Sequence, residues 1–191
     1  GEGDDSLTFS APVNSAVVLG GATDSGSDLL VFSSTVSASS VNAGAGADTV
    51  RLLANVSGST IDLGDGADYL SFTSTLAAST VFAGSGNDTM LFGASAVFQS
   101  NSSISGGDDA DSLVFSAVVN SGTTVAAGGG NDFLSFGASV SNAVVSAAGG
   151  NDNVVFNALV TDTTVWGGGA AQTMAFSSAA DTLTFSGGFG T

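Results

Sequence analysis

The sequence predicts an all-β fold: a parallel β-solenoid, of the β-roll or β-helix kind, with about nine coils of roughly 20 residues and one Gly-rich corner per coil. Three observations predict it. An Asp recurs at a fixed phase, at Asp5, Asp28, Asp48, Asp68, Asp88, Asp111, Asp132 and Asp152, in steps of 23, 20, 20, 20, 23, 21 and 20 residues. A Gly-x-Gly frame precedes most of these Asp residues, and an apolar-x-Phe pair follows nearly all of them. Each repeat of this length is one coil, which buries its apolar face only by stacking on its neighbours.

The first strand of each coil follows the Asp. Two residues on, the chain is apolar at Leu7, Leu30, Val50, Leu70, Met90, Leu113, Leu134 and Val154. Four on stands Phe9, Phe32, Phe72, Phe92, Phe115, Phe136 or Phe156, with Leu52 as the exception. This alternation marks a half-buried strand with those two positions inward. The Phe column is therefore expected to be core, its rings stacked along the axis. Eight on comes a third inward position: Val13, Val36, Val56, Leu76, Val119, Val140 and Val160. A Ser/Thr/Ala/Asn run leads into the last strand, with Val41, Ile61, Val81, Ile104, Val125, Val145 and Val165 inward. The Ser/Thr pairs just before it, such as Ser39-Ser40 and Ser59-Thr60, read as a polar outer face.

The longer steps place their extra residues at corners: residues 20–24, and the stretches between Phe92 and Ile104 and between Phe115 and Val125. The next step of 20 falls on Gln172, which replaces the Asp, while Met174 and Phe176 keep the strand pattern. The expected organisation is one solenoid of repeats over residues 1–171 and a degenerate C-terminal capping half-coil over 172–191, which includes Asp181. The first frame, Gly1 to Asp5, has no coil before it, so preceding sequence or a second copy is expected to complete it.

Charge and composition narrow the function. The net charge is −16, with Arg51 the one basic residue and no His or Cys. Nucleic-acid binding needs clustered Lys and Arg, and anionic membranes attract polybasic segments; neither is present. No stretch is long and apolar enough to span a bilayer as a helix. Without His there is no Ser–His–Asp triad, and without Cys there is no thiolate chemistry or disulfide framework. Asp62 and Asp65 could pair for glycoside hydrolysis, but no basic or aromatic groups gather near them in sequence to hold a sugar.

Stacked in register, the Asp carboxylates would stand roughly 4.8 Å apart. At an effective dielectric near 20 each neighbouring pair repels by about 3.5 kcal/mol. Counter-charge has to come from outside the chain. The frame glycines, Gly44 and Gly46, Gly64 and Gly66, Gly84 and Gly86, Gly128 and Gly130, permit the tight corner that brings backbone carbonyls together. Carbonyls plus carboxylates make an all-oxygen cage, which suits Ca²⁺ with its six to eight oxygen ligands. Asp109, at a frame Gly position, and its neighbour Asp108 are candidate extra ligands; Asp24 and Ala148 also replace a frame Gly. Eight carboxylates form seven neighbouring pairs, and one Ca²⁺ per pair brings +14 against −16.

At residues 83–91, Ala-Gly-Ser-Gly-Asn-Asp-Thr-Met-Leu, and again at 128–135, the chain resembles the repeats-in-toxin (RTX) family, whose nonapeptide Gly-Gly-x-Gly-x-Asp-x-apolar-x builds a calcium-bound β-roll. The resemblance covers roughly residues 1–156. It implies a right-handed parallel solenoid, secretion without a cleaved N-terminal signal, and folding triggered by external calcium. The family repeats its motif every nine residues, with calcium along both edges; here one motif per coil of about 20 implies a single calcium-lined edge.

The expected function is an extracellular, calcium-stabilised structural or adhesive solenoid, non-catalytic: a segment of a surface layer, adhesin or filament. Its expected partners are several Ca²⁺ ions, further copies of itself, or other surface proteins or polysaccharide. Outward apolar residues Leu29, Val31, Leu91, Val114, Phe133 and Val155 suggest lateral association. Two alternatives are an ice-binding RTX-like solenoid and a non-catalytic calcium module of a larger secreted enzyme. For ice binding, the column Ser40, Thr60, Thr80, Thr124 and Thr164 has neighbours too varied for a lattice match: Asn42, Asp62, Phe82, Ala126 and Trp166.

Overall fold

A computed structural model describes residues 3–21, 25–168, 172–176 and 183–186. Gly1, Glu2, Asp24 and Asp181 lie outside the described residues. The chain winds as a parallel β-solenoid of about eight turns, with no helix among the described residues. One coil shows how the sequence builds it. After Asp48, Thr49–Leu52 forms the first strand, Val56–Ser57 a short second one, and Thr60–Asp65 the third, before the corner leads to Asp68. Among the described residues, stacking such coils gives two sheets of nine parallel strands and a discontinuous sheet of short strands between them.

Registers follow the predicted phases. Val50 lies beside Leu30 and Leu70, Leu52 beside Phe32 and Phe72, Val56 beside Val36 and Leu76, and Ile61 beside Val41 and Val81. From Leu30 to Val165 these inward columns are almost fully buried. In the Phe column, Phe9 stacks on Phe32, and Phe92, Phe115, Phe136, Phe156 and Phe176 form a continuous pile with centroids 4.7–4.9 Å apart. Rings at this spacing follow from strand separation wherever successive coils place parallel Phe rings at the same inward position; Phe72 departs from the pile, tilted 58° against Phe92 at 6.0 Å.

The longer step between Asp88 and Asp111 conceals a core residue. Val97–Gln99 pairs with Thr75–Ala77 and places Phe98 beside Leu76, so Phe98 fills the third inward column. Its ring packs tilted against Phe92 and Phe115. The inserted residues shift the count from Asp88, so counting eight on lands on Ala96 instead.

The Ser/Thr pairs differ from expectation. Only the second member faces out; the first, Ser39, Ser59, Ser79, Ser102, Thr123 or Thr163, is buried. Closing the coil turns this corner inward, and a polar side chain there is tolerated because it is bonded. Ser59 Oγ accepts the Ser39 N–H at 3.1 Å and donates to the Ser57 carbonyl at 2.9 Å. Ser79 does the same for Ser59 and the Ala77 carbonyl. Ser59→Ala leaves a buried N–H without its acceptor, so urea denaturation should show a loss of about 1–3 kcal/mol. Ser59→Thr should keep most of that stability, since Thr123 and Thr163 are buried at this phase and donate to nearby carbonyls as Ser59 does.

The outward apolar residues of the first sheet form no continuous column. Leu29 is followed by Thr49 and Val31 by Arg51; of the six, only Leu91 and Val114 stand side by side. At the C-terminal side, Thr173–Phe176 pairs with Asn153–Phe156, and Leu183–Ser186 with Thr163–Trp166, so these two described strands add one to each long sheet.

Candidate metal-binding corner

The corner begins where the third strand runs into glycine. A Cβ on Gly64 would land on the Gly44 carbonyl, and one on Gly66 on the Gly46 carbonyl; both residues hold φ above +100°. Glycine here satisfies two demands at once: left-handed backbone and contact between successive coils. The turn then delivers the Asp to the inside of the coil.

Seven of the eight predicted Asp residues, Asp28, Asp48, Asp68, Asp88, Asp111, Asp132 and Asp152, are only 2–3 % exposed. Asp5 is half-buried. The carboxylates therefore line the interior of one corner, not a wet edge. One oxygen of each has a defined partner. Asp5 N–H donates to Asp28 Oδ1 at 2.8 Å, Asp28 N–H to Asp48, Asp48 N–H to Asp68, Asp68 N–H to Asp88, and so on to Asp152, with all seven bonds between 2.7 and 2.9 Å. The carboxylate thus replaces a backbone acceptor between coils, as the Ser hydroxyl does at the opposite corner.

The other oxygen sets this corner apart. Oδ2 of Asp68, Asp88, Asp111, Asp132 and Asp152 is buried with no hydrogen-bond partner. A hydroxyl or an amide oxygen would accept the same N–H without introducing that second, charged oxygen. Burial pushes the pKa of Asp68, Asp88 and Asp111 up to about 7 and that of Asp132 up to about 6; neighbouring carboxylates add to the rise and the accepted N–H opposes it. Asp152 is raised by the same burial, opposed by the Asp132 N–H it accepts and by the Gln172 side chain beside it. Arg51 stands exposed on the outer face of the first sheet, between Val31 and Ser71, and leaves this charge unmatched.

The predicted site residues are thus brought together in part. The Asp column and the frame glycines Gly44, Gly46, Gly64, Gly66, Gly84, Gly86, Gly128 and Gly130 share one corner. Asp109 does not join them: it is exposed, at φ 72°, and its Oδ2 accepts the Gly86 N–H at 3.2 Å. Asp108 is also exposed. It lines an outer groove of about 530 Å³ with Asp62, Asp65, Ser85 and Asn42, floored by Gly44, Gly64 and Gly84. There Asn42 Nδ2 donates to Asp62 at 3.0 Å and Ser85 Oγ to Asp65 at 2.7 Å, so both carboxylates are tied to the neighbouring coil.

Among the described residues no three acidic side chains converge on one point. A cation at the buried corner would take two carboxylates per coil interface and complete its shell from backbone carbonyls. The unpartnered buried oxygens and the all-oxygen donor set suit a hard cation such as Ca²⁺. Neither thiolate nor imidazole is available to a softer metal, since the sequence has no Cys or His. No protein-family model, curated protein or solved structure matches the chain.

Proposed function

We propose that this solenoid is an extracellular structural or adhesive element, a rod segment of a surface layer, adhesin or filament, held folded by calcium and without catalytic activity. One observation carries the reading: along a column of buried carboxylates that each accept an inter-coil N–H, the second oxygen of Asp68, Asp88, Asp111, Asp132 and Asp152 has no hydrogen-bond partner. Asp28, Asp48, Asp68, Asp88, Asp111, Asp132 and Asp152, with carbonyls of the glycine frames, would hold the ions. When bound, calcium supplies the positive charge that lets the carboxylates remain ionised in the interior. The resemblance of the frames to RTX repeats supports the same metal. Extracellular calcium modules work at affinities of roughly 10⁻⁴–10⁻³ M, which suits folding outside the cell.

The rest of the surface supports a structural role. The chain has no His or Cys, and the two outer carboxylates that could have formed an acid–base pair are engaged in inter-coil hydrogen bonds. Partners of this rod are further copies of itself, or surface proteins and polysaccharide.

Equilibrium dialysis against calcium tests the reading. The wild type should bind several ions per chain. Asp88→Asn keeps an acceptor for the Asp68 N–H yet removes a charge shared by two interfaces, so it should bind about two fewer while retaining its strand signal at saturating calcium. Binding no greater than that of an unrelated acidic protein would defeat the calcium reading. The column would then be held by hydrogen bonds and protons alone.

A further inference from the structure

We propose that Gln172 terminates the cation ladder: a neutral amide replaces the next carboxylate, so ions occupy interfaces up to Asp132–Asp152 and none lies beyond. This inference rests on the calcium reading and specifies where along the rod that chemistry stops.

Strand register puts Gln172 at the Asp phase. Asn153 pairs with Thr173, and the Thr173 N–H donates to the Asp152 carbonyl at 2.8 Å, as Asn153 N–H does to Asp132 one coil earlier. At this position the chain supplies a neutral side chain that is one methylene longer. Its Nε2 donates to the Gly150 carbonyl at 2.8 Å, while its neutral Oε1 is buried without a hydrogen-bond partner. Gly150 is the second glycine of its frame, the position held earlier by Gly46, Gly66 and Gly130. The carbonyls of those three abut the corresponding glycine of the next coil, where an added Cβ would overlap them. At the last interface, then, a frame carbonyl is satisfied by an amide N–H from within the chain.

The amide orientation is set by chemistry. Reversed, Oε1 would face the Gly150 carbonyl, acceptor against acceptor. The NH₂ group gives the Gly150 carbonyl a donor without adding a net charge. The charge balance agrees. An Asp–Asp interface needs a counter-ion, whereas an Asp152–Gln172 interface adds no second carboxylate and needs none.

Native mass spectrometry of the full chain at saturating calcium resolves individual ions and tests the proposal. Gln172→Asp should bind one more calcium than the wild type. Gln172→Ala should bind the same number as the wild type, while its Thr173 amide exchanges faster. Two results would overturn the inference: Gln172→Asp folded with an unchanged count, or Gln172→Ala with one ion fewer. The latter would mean that Oε1 is itself a ligand. Because Gln172→Ala decides between cap and ligand alone, a misfolded Gln172→Asp does not block the test. A wild type that binds no calcium would remove the calcium reading itself, and this inference with it, a result distinct from the other two.

Discussion

Chelation at pH 8 is expected to unfold this protein, and acidification without calcium is expected to fold it again. The sign follows from the buried carboxylates. Their folded pKa values are raised from 3.8 to about 7 for Asp68, Asp88 and Asp111 and to about 6 for Asp132, so the folded state binds more protons than the unfolded one. The stability that protonation contributes is complete below about pH 4 and is lost as pH rises through 6 to 7. Above that, the metal-free solenoid has to hold a row of like charges a strand spacing apart in its interior. Calcium removes that penalty by neutralising the row without protons. Circular dichroism should show strand signal in chelator at pH 4.5, its loss at pH 8, and its recovery on adding calcium. Metal-free stability that instead increases from pH 5 to pH 8 would contradict the buried placement of the ladder.

Phe115→Ala should be among the most damaging single substitutions in the chain. Phe115 is fully buried, stacks between Phe92 and Phe136, and also meets Phe98 at a centroid distance of 5.8 Å. Removing the ring opens a cavity that rigid neighbouring coils cannot close, at a cost of about 3–5 kcal/mol. Phe72→Ala should cost less, by about 0.5–1.5 kcal/mol, because Phe72 lies tilted against Phe92 and has Leu52 on its other side. Phe115→Leu should be the mildest, since Leu52 is buried in the same column. Thermal denaturation with calcium present ranks the three. A ranking that places Phe115→Leu with Phe115→Ala would show that ring stacking, not filled volume, stabilises this column.

The repeat length, the parallel winding and the inward identity of the Leu/Val and Phe columns were legible in the amino-acid order. Period-two alternation states which side chains share a face, and a repeat near 20 residues states how far apart the coils recur. The Asp phase and the glycine frames were legible for the same reason. Corners were another matter. Alternation ends at a turn, so sequence order cannot say whether Asp68 or Ser59 points to water or to the core; only closure of the coil decides it. Closure turned both inward, made one oxygen of each Asp from Asp28 to Asp152 an acceptor for the coil before it, and left Oδ2 of Asp68, Asp88 and Asp111 without a partner. It also placed Phe98 in the core through an insertion that breaks the count, and left Asp109 outside, bonded to Gly86. The linear order thus determined which residues recur and which of them share strand faces. The tertiary structure decided where the corner side chains point, because that direction depends on the path of the backbone through the turn and on the coil stacked beside it.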